Sequence, residues 1–290
     1  MIAGQLIVAG LLTGSVYALI AVGLVVVYKS SNVLNFAHGY VAALGAFLSF
    51  TIVQEYHLGW PLGIGTALAA TTGSALLIEF IVIRRLPGAR PLTLLAATLG
   101  IALIYNGILN LAYGPSPKGY PNILPGRAFT AFGLTILGQD VLVFFATLVI
   151  IGGLALFFAR SRLGISMRAA SEDARVASLL GIDFRTVSMV SWGLSGLLGG
   201  LAAILVAPRL PLTPDALTTL MIQGFAAVVI AGFTSIWGAV VGGYITGVAL
   251  NLISGYVVSD MPSTVLLILL LVLLLVRPQG IFGRHEEVRL

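Results

Sequence analysis

Few side chains in this sequence could carry chemistry, and they stand in apolar surroundings. Asn35 and His38 fall in SSNVLNFAHGY, residues 30–40, the most polar run near the N-terminus. Glu79 lies inside an apolar stretch, about a turn before Arg84, and Ser195 sits in GLSG, residues 193–196. Intramembrane proteolysis would require a histidine base within reach of Ser195. The only histidine after Ser195 is His285, in the closing tail, and His38 and His57 belong to earlier elements, so no paired nucleophile and base is expected. Proton-coupled transport ordinarily buries several Asp, Glu or His in a relay. Glu79 alone makes no relay, and snorkelling to the interface beside Arg84 accounts for it. ATP hydrolysis is excluded as an activity of this chain by the lack of any GxxxxGK(S/T) phosphate loop. With no cysteine there is no thiolate nucleophile, Cys metal site or disulfide framework.

The elements that hold these residues follow from composition. Of 290 residues, 59% are hydrophobic and only 9% charged, against roughly a quarter charged in a soluble domain. Apolar runs of about 20 residues, the length that spans the bilayer core as a helix, recur from end to end. The fold class expected is an all-α polytopic membrane protein, a single transmembrane domain over 1–290 in contact with lipid. Residues 1–28 lack the basic start of a cleaved signal peptide, since Lys29 is the first positive charge, and they read as a retained span. The net charge of +5 raises nucleic acid as a partner, but in so apolar a chain Lys and Arg mark cytoplasmic loops, and no nucleic acid is expected.

Spans are expected at 5–28, 33–53, 61–83, 92–113, 141–159 and 186–207. One set of connections carries Lys29, Arg84, Arg85, Arg90, Arg160, Arg162, Arg168, Arg175 and Arg185; the other carries Lys118, Arg127 and Arg209. The positive-inside rule puts the first set in the cytoplasm, the N-terminus outside, and the tail 277–290, with Arg277, Arg284 and Arg289, inside. An odd number of crossings must then follow Arg209. Breaking the long apolar stretch at AGFTSIWG, residues 231–238, makes about nine, with the segment before Ser235 either crossing or re-entrant.

NFAHG, residues 35–39, poses a length problem. A second span beginning only at Tyr40 would measure about 21 Å to Val53, too short for the hydrocarbon core. A start at Val33 gives about 31 Å and sets Asn35 and His38 below the membrane surface, where polar groups must face a partner or a water-filled cavity. They either line a path or bond a neighbouring helix. Four GxxxG patterns, at 10–14, 196–200, 238–242 and 243–247, allow backbones to approach, so Gly10, Gly14, Gly196, Gly200, Gly238 and Gly242 are expected in helix packing.

Two extramembrane segments stand out. The outer stretch 114–140 opens with four prolines and then runs RAFTAFGLTILGQD, whose alternation predicts a small hairpin. The inner stretch 160–185 contains SEDARVASLLGID, residues 171–183. There a short helix is expected, with Ser171 as N-cap, Glu172 and Asp173 at the positive end of the dipole and Gly181 as the stop. Its small apolar middle suits a groove in a partner, although a solvated connector is the other reading.

Three blocks resemble a known family. Residues 12–47, which include NFAHG, residues 162–205 and residues 225–243, with the closing RPQGIFG at 277–283, are similar to the permease subunits of branched-chain amino acid ABC importers. The chain length resembles the shorter of the two permeases. More distantly, the inner loop and the Gly-rich block resemble ribose-type sugar permeases, which differ where NFAHG stands. The resemblance implies a bacterial or archaeal cytoplasmic-membrane importer in which two homologous permeases form the pathway. Two cytoplasmic ABC ATPases would bind ATP and Mg, and an extracytoplasmic binding protein would deliver substrate, so this chain itself would hold no cofactor and no catalytic residue. It further implies that Glu172, Asp173, Arg175, Ala177, Gly181 and Ile182 belong to a helix coupling the permease to an ATPase. Asn35, Phe36, His38 and Gly39 would lie near the pathway or its support. Leucine, isoleucine and valine are the implied cargo; urea or short amides share much of the pattern, and a stand-alone channel or carrier is the reading outside this class.

Overall fold

The computed structural model describes residues 2–86, 88–124, 128–131, 134–172, 174–256, 261–277 and 280–282. Helices dominate them. The first half comprises α1 (Ile2–Ser31), α2 (His38–Phe50), α3 (Trp60–Ile81), α4 (Pro91–Tyr113), the strands β1 (Lys118–Gly119), β2 (Ala128–Ala131) and β3 (Leu134–Leu137), and α5 (Gly138–Arg160). The second half comprises α6 (Arg162–Glu172), α7 (Ala174–Leu179), α8 (Phe184–Val206), β4 (Pro211–Leu212), α9 (Ala216–Ala231), α10 (Ile236–Tyr256) and α11 (Pro262–Val276). Among the described residues, six helical segments are long and apolar enough to cross a membrane: Ala3–Ser31, Trp60–Arg85, Pro91–Tyr113, Gly138–Arg160, Phe184–Arg209 and Ile236–Tyr256. Ala216–Ala231 and Pro262–Val276 are shorter apolar helices. Pro at the first turn of α3, α4 and α11 fits positions whose amide has no partner within the helix.

The centre of the molecule is α1, whose Val16 to Val27 stretch is almost wholly enclosed. Its contacts are set by glycine. A Cβ on Gly10 would lie 2.6 Å from Val248 Cα and one on Gly14 2.9 Å from Tyr244 Cα, while Gly243 abuts Ala18, so the 10–14 and 243–247 patterns form one seam between α1 and α10. Gly196 and Gly200 of α8 lie against Thr71 of α3, Gly242 against Ala227 of α9, and Gly238 beside Ser235 and Phe282.

Several expectations need correction. Helix α2 begins at His38, not Val33. Residues 33–37 are unwound, with Val33, Asn35 and Ala37 buried and Leu34 and Phe36 half-buried, and polar groups of their backbone find partners: the Thr98 hydroxyl of α4 donates to Leu34 O at 3.0 Å, and Asn35 Oδ1 accepts from Ala37 N at 3.1 Å. Irregular backbone at membrane depth is tolerated where protein surrounds it. Length is recovered at the other end, where α2 runs on as a π-turn, Thr51–Glu55. Asn32, at φ 54°, ends α1 in the left-handed conformation that Asn tolerates. Glu79 does not snorkel toward Arg84. It is 1% exposed within the helix bundle, and Arg84 instead stands over the Phe80 ring at 5.5 Å.

At the end of the molecule that holds Tyr113, β1 pairs antiparallel with β4, Lys118 opposite Leu212. The alternating stretch forms its hairpin, β2 against β3, with Ala128 opposite Leu137. At the opposite end, the Ile281 and Phe282 amides donate to the carbonyls of Ile230 and Ala231, docking this part of the tail on the C-terminal end of α9. Arg127, Arg284, Arg289 and His285 lie outside the described residues.

Candidate functional site

The NFAHG residues meet different neighbours in the bundle. Asn35 closes the turn that starts α2 through Ala37 N. The His38 ring fills a slot between two glycines: a Cβ at Gly23 of α1 or at Gly199 of α8 would lie 3.0 Å from its Cε1. Its Nδ1 is 3.1 Å from Ser195 Oγ, with both residues buried. The sequence reading that Ser195 has no histidine partner is therefore wrong, because the bundle brings α2 against α8. The pair is nonetheless unsuited to proteolysis. His38 Nε2 has no partner among the described residues, so no third group orients the ring, and glycine packing leaves no space for a scissile bond. Gly39 brings α2 against α9, its N–H donating to Met221 Sδ at 3.2 Å. Phe36 packs tilted against Phe225 of α9, with ring centroids 5.8 Å apart.

Beyond Phe225 lies a cavity of about 1350 Å³ at the end of the molecule that carries Lys29 and Arg168. Its walls come from α1, α5, α6, α9, α10 and α11, and the wall residues include Leu154, Phe158, Phe225, Val229, Phe233 and Trp237. An aromatic chain runs along one side, Tyr28 to Phe233 at 4.8 Å and Phe233 to Phe225 at 5.6 Å, and Phe36 extends it away from the cavity. None of Asn35, Phe36, His38 or Gly39 lines the cavity; Leu34 does.

A polar cluster the sequence did not single out lies farther along α2 and α9. Asp215, which precedes α9, makes no capping bond to that helix. Its Oδ1 instead accepts from the Tyr40 hydroxyl at 3.0 Å and from Asn106 Nδ2 at 2.8 Å, and Asn110 Nδ2 donates to Asn106 Oδ1 at 2.9 Å. Three helices thus meet at one carboxylate. Nearby, Lys118 pairs with Glu55 at 3.1 Å and Arg209 forms an ion pair with Asp140. In the loop there, burial raises the Tyr120 pKa above its usual value, against the opposing hydrogen bond with Ser49.

The arginine-rich segment is built as two helices. Ser171 does not cap the second: it lies in the last turn of α6, and its hydroxyl donates to Arg168 O at 2.8 Å. Gly181, at φ 80°, ends α7, and Ile182 N closes back on Ala177 O at 3.1 Å. Asp183 then caps α8, its carboxylate accepting from Arg185 N at 3.1 Å, Thr186 N at 3.3 Å and the Thr186 hydroxyl at 2.8 Å. The Thr186 side-chain bond, followed by the Arg185 amide, lowers the Asp183 pKa. Ala177 is 3% exposed and faces the bundle, so it offers no outward contact. The outward apolar residues are Val176, Leu179 and Leu180, the last two 86% and 74% exposed. Glu172 lines the cavity, Gly181 and Ile182 follow α7, and Asp173 and the Arg175 side chain lie outside what the structure describes.

A helical bundle with six apolar helices of membrane-spanning length among the described residues, and a cavity at its basic end, fits a multi-pass membrane protein. The family described as the permease component of branched-chain amino acid transport systems matches residues 6–276, and this chain belongs to that family. It is 32% identical to the high-affinity branched-chain amino acid transport system permease protein BraD of Pseudomonas aeruginosa, over 97% of this chain and 96% of the relative. It is 29% identical to the corresponding permease LivH of Escherichia coli, over 96% and 94%. Among solved structures, PsaBC from Streptococcus pneumoniae, in complex with Fab, aligns with a TM-score of 0.51 at 12% identity, covering 92% of this chain and 89% of that one. That likeness bears on fold alone. The relatives are transport permeases, consistent with a non-enzymatic role for this chain.

Proposed function

We propose that this chain is one of two permease subunits of an ATP-driven importer that carries leucine, isoleucine or valine inward across the cytoplasmic membrane. Its N-terminus faces outward, its arginine-rich end faces the cytoplasm, and α2, α9 and α11 cross beside the six long spans to give nine crossings. The observation that carries the reading is the outward apolar face of α7. Leu179 and Leu180 stand exposed on a segment rich in arginine, where a partner subunit would bury them. Family membership supports the cargo class, and the apolar and aromatic cavity wall suits a hydrophobic side chain.

In this mechanism ATP binding draws the two ATPases together, the α6–α7 pair moves with them, and the glycine-seamed helices tilt as rigid bodies. The present arrangement, open at the basic end and walled by Phe225 and Phe233, corresponds to the inward-facing state. The test is ATP-dependent uptake of radiolabelled leucine and of urea by the complete importer in proteoliposomes. Uptake of leucine and not urea is expected; transport of urea alone would overturn the cargo assignment, and transport without ATP would overturn the class.

A further inference from the structure

Charge accounting at the end opposite the cavity leaves one described carboxylate over. Glu55 has Lys118 and Asp140 has Arg209, whereas Asp215 forms no ion pair among the described residues. Its Oδ1 is held by two donors from different helices, Tyr40 of α2 and Asn106 of α4, and its Oδ2 accepts no hydrogen bond from a described residue. A carboxylate fixed on one oxygen and open on the other is preorganised for a cation, because the geometry is already set before the ligand arrives. Asp215 is exposed while Tyr40 and Asn106 are half-buried. Asn106 stands seven residues before Tyr113, the last residue of α4, hence about 10 Å inside the end of that helix. Asn106 thus sits between the helices, below the exposed Asp215 carboxylate at the start of α9.

The face of α9 that follows Asp215 ends at the cavity wall. Residues at 215, 218, 222, 225 and 229 fall on one face of α9 by helical spacing. Thr218 Oγ1 on that face is buried with no partner among the described residues, Ile222 is exposed, and Phe225 and Val229 line the cavity. The contacts of α2 keep pace, Gly39 against Thr218 and Phe36 against Phe225.

We infer that Asp215, held by Tyr40 and Asn106, is the site at which the permease accepts the α-ammonium group of an incoming amino acid before its side chain passes the Phe36 and Phe225 rings. The inference rests on the proposed amino acid cargo. Asn at 215 still accepts hydrogen bonds from Tyr40 and Asn106 through its side-chain oxygen, so Asp215→Asn removes charge and keeps the architecture, while Asp215→Glu keeps the charge.

The experiment measures leucine uptake by the complete importer as a function of loaded binding protein, for wild type, Asp215→Asn and Asp215→Glu. The expected result is a maximal rate about tenfold lower or more in Asp215→Asn, the size of one lost hydrogen bond to a charged group, with unchanged half-saturation and recovery of most of the rate in Asp215→Glu. A wild-type rate in Asp215→Asn overturns the inference. So does an equal loss in both variants, which would make the cluster a latch whose geometry alone matters. A raised half-saturation with an unchanged maximal rate also overturns it, since the carboxylate would then meet a basic side chain of the binding protein. If the wild-type importer takes up no amino acid, the cargo assignment itself fails, visibly in the control, and this inference falls with it.

Discussion

The His38 slot and the α7 surface lie in one chain and obey opposite rules. Around His38 every neighbour is fixed: Gly23 on one side, Gly199 on the other, Ser195 at the ring nitrogen, with the surrounding α1 residues enclosed. On α7 the large apolar residues face outward, and what holds the helix is local, the backbone closure after Gly181 and the Asp183 cap on α8. The difference separates a close-packed core from an uncovered surface. A core that close-packs backbone against imidazole shifts only as a unit, whereas exposed leucines on a helix mark a surface suited to contact.

The largest expected effect comes from breaking the slot. Gly199→Leu drives a branched side chain into the His38 ring, and overpacking of this kind costs about 1–3 kcal/mol or more. Folded protein extracted from the membrane should fall severalfold, while His38→Ala, which empties the slot, should restore much of it in the double variant. Second, Leu179→Glu with Leu180→Glu should abolish recovery of ATPase subunits with the tagged permease and leave its melting temperature close to wild type, because exposed substitutions are usually within about 0.5 kcal/mol of neutral. A melting temperature that collapses would show that α7 belongs to the core after all.

Third, Gly181→Val places a branched residue at φ 80° and should cut substrate-stimulated ATPase activity severalfold with the protein still in the membrane. Normal coupling in that variant would detach α7 from the coupling role. The smallest effect is expected at Asp183. Its carboxyl titrates below the ordinary range because the Thr186 hydroxyl and the Arg185 amide favour the ionised form. The cap's contribution is therefore fully present above the ordinary carboxylate pKa and fades as pH falls through the lowered value. Asp183→Asn should flatten this acid-side loss of thermal stability; an unchanged pH profile would place the acid sensitivity elsewhere.

What was legible in the sequence was what short-range pattern encodes. Apolar runs placed the long helices, GxxxG spacing marked the α1–α10 seam, alternation marked the β2–β3 hairpin, and Gly181 marked the end of α7. What stayed hidden depends on distant residues. The start of α2 at His38 rests on a hydroxyl of α4, the His38 and Ser195 contact on the packing of α2 against α8, and the Asp215 cluster on three helices meeting. Neither local spacing nor length arithmetic carries that information. Glu79 departs from expectation for the same reason, since proximity to Arg84 along the chain does not become an ion pair among the described residues. Gly23 and Gly199 were the signals available for the slot, and both sit outside the GxxxG pairs.

The most direct test of the central claim is to extract the tagged chain gently from its native membrane and identify its companions by mass spectrometry. Two ATP-binding subunits and a second homologous permease in stable proportion are the predicted result. Recovery of the chain alone, or only with copies of itself, would contradict its assignment as one permease subunit of an ATP-driven importer.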